Sequence, residues 1–216
     1  MSDRCQLPDA ELKRAFVQRT ILILGLTCGD DKGRPDTTNR GKSGENGGMN
    51  HLEHQRDVGP AELFPTAREA VFTWKLQELA GVVVRPGRRL AEGQVVDLWL
   101  NPVWPASPRR LRGRDLLVTV GSCVVSEVID EADRAGFTYR TLPGHLENGE
   151  ETFLVSTDAE GRLVASITAD SVSAHPLLKA AGPISTASQT MMAKRYISGL
   201  TKLLDRHVAD SARTDT

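Results

Sequence analysis

The segment GHLENGEE sets His145, Glu147, Glu150 and Glu151 within a few residues of one another, between two apolar runs. An imidazole titrates near pH ~6.5, and burial lifts a carboxyl toward the same range, so the pair suits acid–base work near neutrality. A structural loop is the simpler reading of the same residues. Gly144 and Gly149 would then make the turns, and His145 would bond a backbone carbonyl.

The flanking runs read as strands. Alternation puts Phe137, Tyr139 and Thr141 on one face, and Thr138, Arg140 and Leu142 on the other. Glu151 shares its face with Phe153 and Val155. If that face lines a cavity, Tyr139 supplies a hydroxyl and Glu151 a carboxyl that apolar walls would keep protonated. If it faces outward, both are rim decoration. Strand periodicity leaves the choice open.

A second cluster lies in VVDLWLNPVW, where Asp97 and Trp99 share a face beside Val95 and Trp104 follows. An acid among apolar strand neighbours is a candidate site residue, and pairing with an arginine at a sheet edge is its ordinary role. Aromatic residues are only 5% of the chain, so Trp74, Trp99 and Trp104 are the available wall for an apolar ligand, as well as core candidates. Asp170 and His175 flank the approach to the last helix, where capping is the simpler role.

Three other patterns lead nowhere. NRGKS lacks the leading glycine of a phosphate loop, because Asp36 stands there, and no strand leads into it. HLEH brings His51, Glu53 and His54 together without a further ligand, so no metal is expected. Cys123 sits in an apolar strand, where an inert buried thiol is the usual outcome. No cofactor is signalled.

The elements that would hold these residues follow from periodicity. Leu12, Phe16 and Val17 behind Pro8 suggest a short N-terminal helix, and ILILGL a buried apolar segment, together residues 1–26. Residues 27–59 are glycine-rich and poor in large apolar side chains, and are expected to be a flexible segment or lid. Residues 60–206 carry the folded domain. Pro65 opens a helix with Ala67, Ala70, Val71 and Trp74 on one stripe, ended by Gly81. Strand-like runs follow at GVVV, QVVDLWL, DLLVTVGSCVVSEVI, AGFTYRTL, ETFLVST and GRLVASITA. A long helix runs from Pro183 toward Asp205, with Ile184, Ala187, Met191, Ile197, Leu200, Leu203 and Leu204 as its stripe. Residues 207–216 read as a frayed tail.

Bulk composition narrows the classes. With 39% hydrophobic and 25% charged residues the chain can build a core, and its net charge of −1 offers no field for nucleic acid. Cys5, Cys28 and Cys123 form no disulfide or zinc pattern. The charged start and the shortness of ILILGL argue against a signal peptide or membrane span, so a cytoplasmic protein is expected. Nothing specifies the oligomeric state.

The segment AGFTYRTLPGHLENGEETFLV resembles the signature of the domain of unknown function 1990 family, in which a segment close to GFxYGTLPGHPxxGEExF recurs. LTCGDD, AREAVFTWKLQELAG, GSCVVSEVIDEADRAG and SAHPLLKAAGPISTASQTMMAKRYISGL resemble other family segments in the same order, from about Leu26 to Leu200. This chain differs at Arg140, where glycine is usual, at Val172 and Ser173 in place of Arg-Pro, and in a longer glycine-rich stretch.

The resemblance implies an α+β helix-grip fold, a curved antiparallel sheet wrapped around a long C-terminal helix with an apolar cavity. Members of that superfamily bind lipids, steroids and plant hormones, and some are polyketide cyclases. The resulting expectation is a cofactor-independent cyclase for an apolar, polyketide-like molecule, acetal or spiroacetal ring formation by proximity and acid–base chemistry being one such reaction. Glu151, Asp97 or Tyr139 would act as donor and His145 as base, with Trp74, Trp99, Trp104, Arg140 and Phe153 binding substrate. A non-catalytic lipid or steroid-like carrier or sensor is the alternative, and docking of a partner by the glycine-rich segment a third.

Overall fold

The strand-like runs from GVVV to GRLVASITA all contribute strands in the computed structural model. The structure describes residues 50–101, 110–111, 114–115, 117–145, 147–173 and 183–214. The N-terminal helix and ILILGL, most of the glycine-rich segment, Trp104 and His175 lie outside the described residues.

Strands β1 (Asn50–Pro60), β2 (Val82–Arg85), β3 (Val95–Leu100), β6 (Val118–Asp130), β7 (Arg134–Thr141), β8 (Glu147–Thr157) and β9 (Arg162–Ser173) form one seven-stranded sheet. Its order is β1-β9-β8-β7-β6-β3-β2, with every neighbouring pair antiparallel. Strands β4 (Arg110–Leu111) and β5 (Arg114–Asp115) make a separate small ladder. Short turns join β6 to β9 in sequence. At the β8–β9 turn Asp158 Oδ1 accepts from the backbone N–H groups of Glu160 and Arg162 at 3.1 and 2.8 Å.

Strand β1 corrects one expectation. Its residues close the segment read as flexible, yet they pair with β9 along nearly their whole length. NHLEHQRDV carries few large apolar side chains because β1 is an edge strand with an exposed face, on which His51, Glu53 and Gln55 lie. Its pairing comes from backbone groups, which composition does not reveal.

Helix α1 (Phe64–Phe72) starts with a proline in its first turn and buries Phe64, Ala67, Ala70, Val71 and Phe72. The stripe was expected to continue through Trp74, but Trp74 takes a left-handed conformation at φ 60° and starts a new helix, α2 (Lys75–Ala80). A non-glycine residue there is strained. The indole holds the position: its Nε1–H donates to the carbonyl of Arg88 at 2.8 Å, and the ring meets Phe137 edge-on at 5.0 Å. Gly81, at φ 95°, ends α2 in the left-handed region that glycine favours.

The last helix, α3 (Pro183–Thr214), runs through most of the stretch expected to fray. Beyond Leu204 its residues are exposed. Hydrogen bonds within the helix persist there without packing, as where Ser211 Oγ donates to the carbonyl of His207 at 2.9 Å.

The sheet itself differs from the expected curved wrap. It is open and not strongly curled, with β1 and β2 as separate edges. Helix α3 packs on β1, β9 and α2, while α1 covers β7 and β8. Three helices share one face of the sheet, so no single helix has to be gripped, and the apolar face is buried without closure. Among the described residues the register shifts at Asp57/Gly59, Leu98/Trp99 and Val125/Glu127.

Candidate functional site

The covered face settles which side chains point inward. On it lie Val96 and Leu98 of β3, Cys123 and Val125 of β6, Phe137 and Tyr139 of β7, Phe153 and Val155 of β8, and Leu163, Ala165 and Ile167 of β9, all buried. Tyr139 and Glu151 are register partners across β7 and β8, one step along from Phe137 and Phe153. Alternation therefore carries Glu151 inward with the aromatic rings.

The Tyr139 hydroxyl donates to Glu151 Oε2 at 2.5 Å. Rings surround this contact. Phe137 stacks on Phe153 at 5.0 Å, Tyr139 lies 5.7 Å from Phe153, and Tyr196 of α3 meets Phe153 edge-on at 4.9 Å. Phe153 is 0% exposed and Tyr139 5% exposed, whereas Glu151 is only half-buried. The carboxyl thus sits at the edge of the packed aromatic cluster.

Burial raises the Glu151 carboxyl to about 7, the charge of Glu147 adds to the rise, and the hydrogen bond from Tyr139 opposes it. Burial and then the Glu151 charge push the Tyr139 and Tyr196 phenols well above their usual range. Cys123 rises to about 12, through burial first and then Glu151 and Asp97, so its thiol stays protonated and unreactive. Within this group, only Glu151 changes charge near neutral pH.

His145 and Glu147 sit at the end of this face. The polar loop is shorter than the sequence suggested, because β8 already begins at Glu147. His145 Nδ1 lies 2.9 Å from the backbone oxygen and 3.1 Å from the backbone nitrogen of Glu147. The histidine packs directly on Gly121 of β6: a Cβ built there would stand 2.5 Å from His145 Cα. Gly149 is under a similar constraint, since its Cβ would meet the Asp170 carbonyl oxygen of β9 at 2.1 Å. Thr141 Oγ1 completes the closure, accepting from Gly149 N–H at 2.9 Å and donating to its carbonyl at 3.2 Å. Glycines in this motif thus serve close packing, and His145 has a structural place within it.

Helix α3 reaches the same end through Gln189. Its Nε2 lies 3.0 Å from both carboxylate oxygens of Glu147 and 2.8 Å from Ser171 Oγ. This amide ties the helix to β8 and β9 beside Glu151.

Of the residues singled out from sequence, Tyr139, Glu151, Phe153 and Trp74 come together, and His145 borders them. The others do not join. Asp97 pairs in register with Ser122, on the face opposite Cys123, and accepts from Ser122 Oγ at 2.6 Å. Trp99 lies on that outer side with Arg85 5.4 Å above its ring. Arg140 is exposed and pairs with Glu150 at 3.2 Å. The strand period separates these residues from the inner face.

His51 and His54 fall on alternate faces of β1. His51 Nδ1 meets Asp170 Oδ1 at 2.7 Å, which places Asp170 in a strand pair and not in a helix cap. His54 is lowered by burial, Lys194 and Arg56. Among the described residues no group of three or more His, Cys, Asp or Glu side chains is arranged to hold a metal.

Tyr196 and Gln189 were missed. Both fall on the helical spacing Gln189, Ala193, Tyr196, Leu200, Leu204, and a polar group within an apolar stripe is the signal that marks them.

An antiparallel sheet with one long C-terminal helix on its covered face, and a polar pair set among aromatic rings, makes this an α+β protein with an open sheet. The chain belongs to the family described as "Domain of unknown function (DUF1990)", whose model matches residues 36–199. A UPF0548 protein of Deinococcus radiodurans is 45% identical over 69 residues, 32% of this chain and 35% of that protein, so the match spans about a third of the curated relative. Among solved structures, the hypothetical protein jhp0584 of Helicobacter pylori superposes with a TM-score of 0.50 at 11% identity, covering 80% of this chain and 97% of that one. The ZhuI aromatase/cyclase of Streptomyces sp. R1128 gives a TM-score of 0.47 at 18% identity, covering 74% and 96%. At these identities the likeness to jhp0584 is one of fold alone. No helix among the described residues is long and apolar enough to cross a membrane.

Proposed function

We propose that the protein binds a small, mostly apolar molecule beside the inner face of β7 and β8, as a carrier or sensor, with Tyr139 and Glu151 as its polar anchor. The observation that carries this reading is the inward Glu151, a carboxyl bonded to Tyr139 through one oxygen and set beside buried aromatic neighbours. An inward carboxyl has a high desolvation cost, and its retention at the edge of an apolar cluster fits a group that fixes a ligand's orientation. Arg140, Asp97 and Trp99 have no part in it.

A second reading is catalytic. A carboxyl titrating at about 7 beside a phenol can deliver and recover a proton near neutral pH. Holding a flexible polyketide-like chain against it would favour ring closure, such as spiroacetal formation, because the entropy of closure is met on binding.

One experiment separates the two. Purified protein is incubated with a lipophilic extract of its source organism lacking this gene, and small molecules are followed by mass-resolved chromatography. Retention of one species, unchanged on release and reduced in Glu151→Gln and Tyr139→Phe, is the expected result. Turnover of many equivalents to an isomer or dehydrated product, abolished in Glu151→Gln, would replace the carrier reading with the enzyme. Neither retention nor turnover would remove both.

A further inference from the structure

We propose that Gln189 is a positioning residue of this site that acts through Glu147: its side-chain amide holds the Glu147 carboxylate on the inner side of β8, where that carboxylate bears on Glu151. This rests on the reading of Tyr139 and Glu151 as a ligand anchor, and adds the residue that sets how the anchor is charged.

The amide geometry carries the argument. Gln189 Nε2 bears two hydrogens and stands among three oxygens, both of Glu147 at 3.0 Å and Ser171 Oγ at 2.8 Å. One hydrogen serves the serine, and the other falls between the two carboxylate oxygens. An ionised carboxylate only accepts, so the nitrogen is the amide atom turned toward it. A carboxylate gripped through both oxygens is fixed in position and in plane, which a contact through one oxygen does not achieve.

The strand then relates Glu147 to Glu151. Glu147, Gly149 and Glu151 share the less exposed side of β8, while Asn148 and Glu150 are exposed. Position 149 has to be glycine, since a Cβ there would meet the Asp170 carbonyl oxygen at 2.1 Å. No side chain of β8 therefore stands between the two carboxyls on that side. Ser171 is the register partner of Gly149 on β9, so the amide that bonds it comes down beside this gap.

The other described groups that face Glu151 are Tyr139 from β7, Cys123 from β6 and Tyr196 from α3, with Ala169 as its register partner on β9. Helix α1, which covers β7 and β8, carries Arg68 and Glu69, and these pair with Asp130 and Arg89. Among the described residues, Glu147 is the like charge that raises the Glu151 carboxyl. Without the grip of Gln189 the Glu147 side chain can turn toward water, where its charge is screened. The placing of α3 on the sheet is thus felt at Glu151.

The test is a double-mutant cycle on full-length, ligand-free protein, with the Glu151 carboxyl followed by NMR against pH. Gln189→Met should lower the Glu151 midpoint from about 7 by roughly 0.5 in pH, and Glu147→Gln by as much or more. Once Glu147→Gln is in place, Gln189→Met should change nothing further. Gln189→Ala repeats the deletion with a smaller side chain, and native ring signals of Tyr139, Phe153 and Tyr196 mark each variant as folded.

A glutamine that merely ties the helix down would leave the midpoint where it is, or move it equally in both backgrounds. Either result overturns the proposal, as does a Glu147→Gln midpoint equal to that of the native chain. Because no ligand is used, failure here leaves the ligand-site reading to the retention experiment. Failure of retention removes the ligand and leaves the relation among Gln189, Glu147 and Glu151 standing.

Discussion

Tyr139 and Glu151 meet because they are register partners on adjacent strands, and burial then makes each depend on the other. The hydrogen bond from Tyr139 holds the carboxyl lower than burial alone would. Tyr139→Phe is therefore expected to move the Glu151 titration upward from about 7, read by side-chain carboxyl NMR across the pH range. An unchanged or lowered midpoint would show that the phenol does not stabilise the ionised form.

Gln77 offers a different residue-scale test. It is 0% exposed on α2, and neither its Nε2 nor its Oε1 meets a hydrogen-bond partner. Because an unpaired buried amide costs about 1–3 kcal/mol, Gln77→Met should leave stability unchanged or raise it by about 1 kcal/mol, measured by urea unfolding. A loss of stability would mean that the amide is satisfied in the folded protein.

At the scale of elements, the loop between β7 and β8 is anchored by contact as much as by hydrogen bonds. Gly121 has φ 144° and lies against His145, so Gly121→Ala must displace the loop and strain β6. A loss on the order of 2–3 kcal/mol is expected, with faster amide exchange at Leu142 to His145 than elsewhere in the sheet. Uniform exchange would indicate that the loop is not held by this packing.

The break between α1 and α2 rests similarly on one side chain. Trp74→Ala removes the indole from Phe137 and from the Arg88 carbonyl, and should cost about 3–5 kcal/mol in thermal or urea unfolding. The helical stripe was legible in sequence, but this break was not, since left-handed tryptophan has no local signature. Strands β2, β3 and β6 to β9 were legible from their apolar runs. Strand β1 was not, because an edge strand with a polar face looks like a loop until its partner is known.

For the molecule as a whole, the buried carboxyl is a source of pH-dependent stability. The folded pKa of Glu151, about 7, is raised from its ordinary 4.5, so the folded state binds the proton more tightly. Its contribution is fully present below 4.5 and is lost as pH rises to about 7, a change of about 3 kcal/mol. Unfolding measured across this window should show Glu151→Gln lacking that decline and more stable than the native chain at about pH 8. Parallel profiles for the two proteins would exclude Glu151 as the source.

The sequence by itself determined the family, most of the strand order and the pairing of alternate side chains on common faces, because periodicity and the TLPGH…GEE motif are local properties. It also brought Tyr139, Glu151 and Phe153 onto one set of faces. Only the tertiary structure decided that this set points inward while Asp97, Trp99 and Arg140 point outward. A strand's period fixes which residues share a side, but what covers that side depends on helices distant in sequence. The same packing brought Tyr196 and Gln189 to the site, and it left the sheet open because α1, α2 and α3 cover its inner face together.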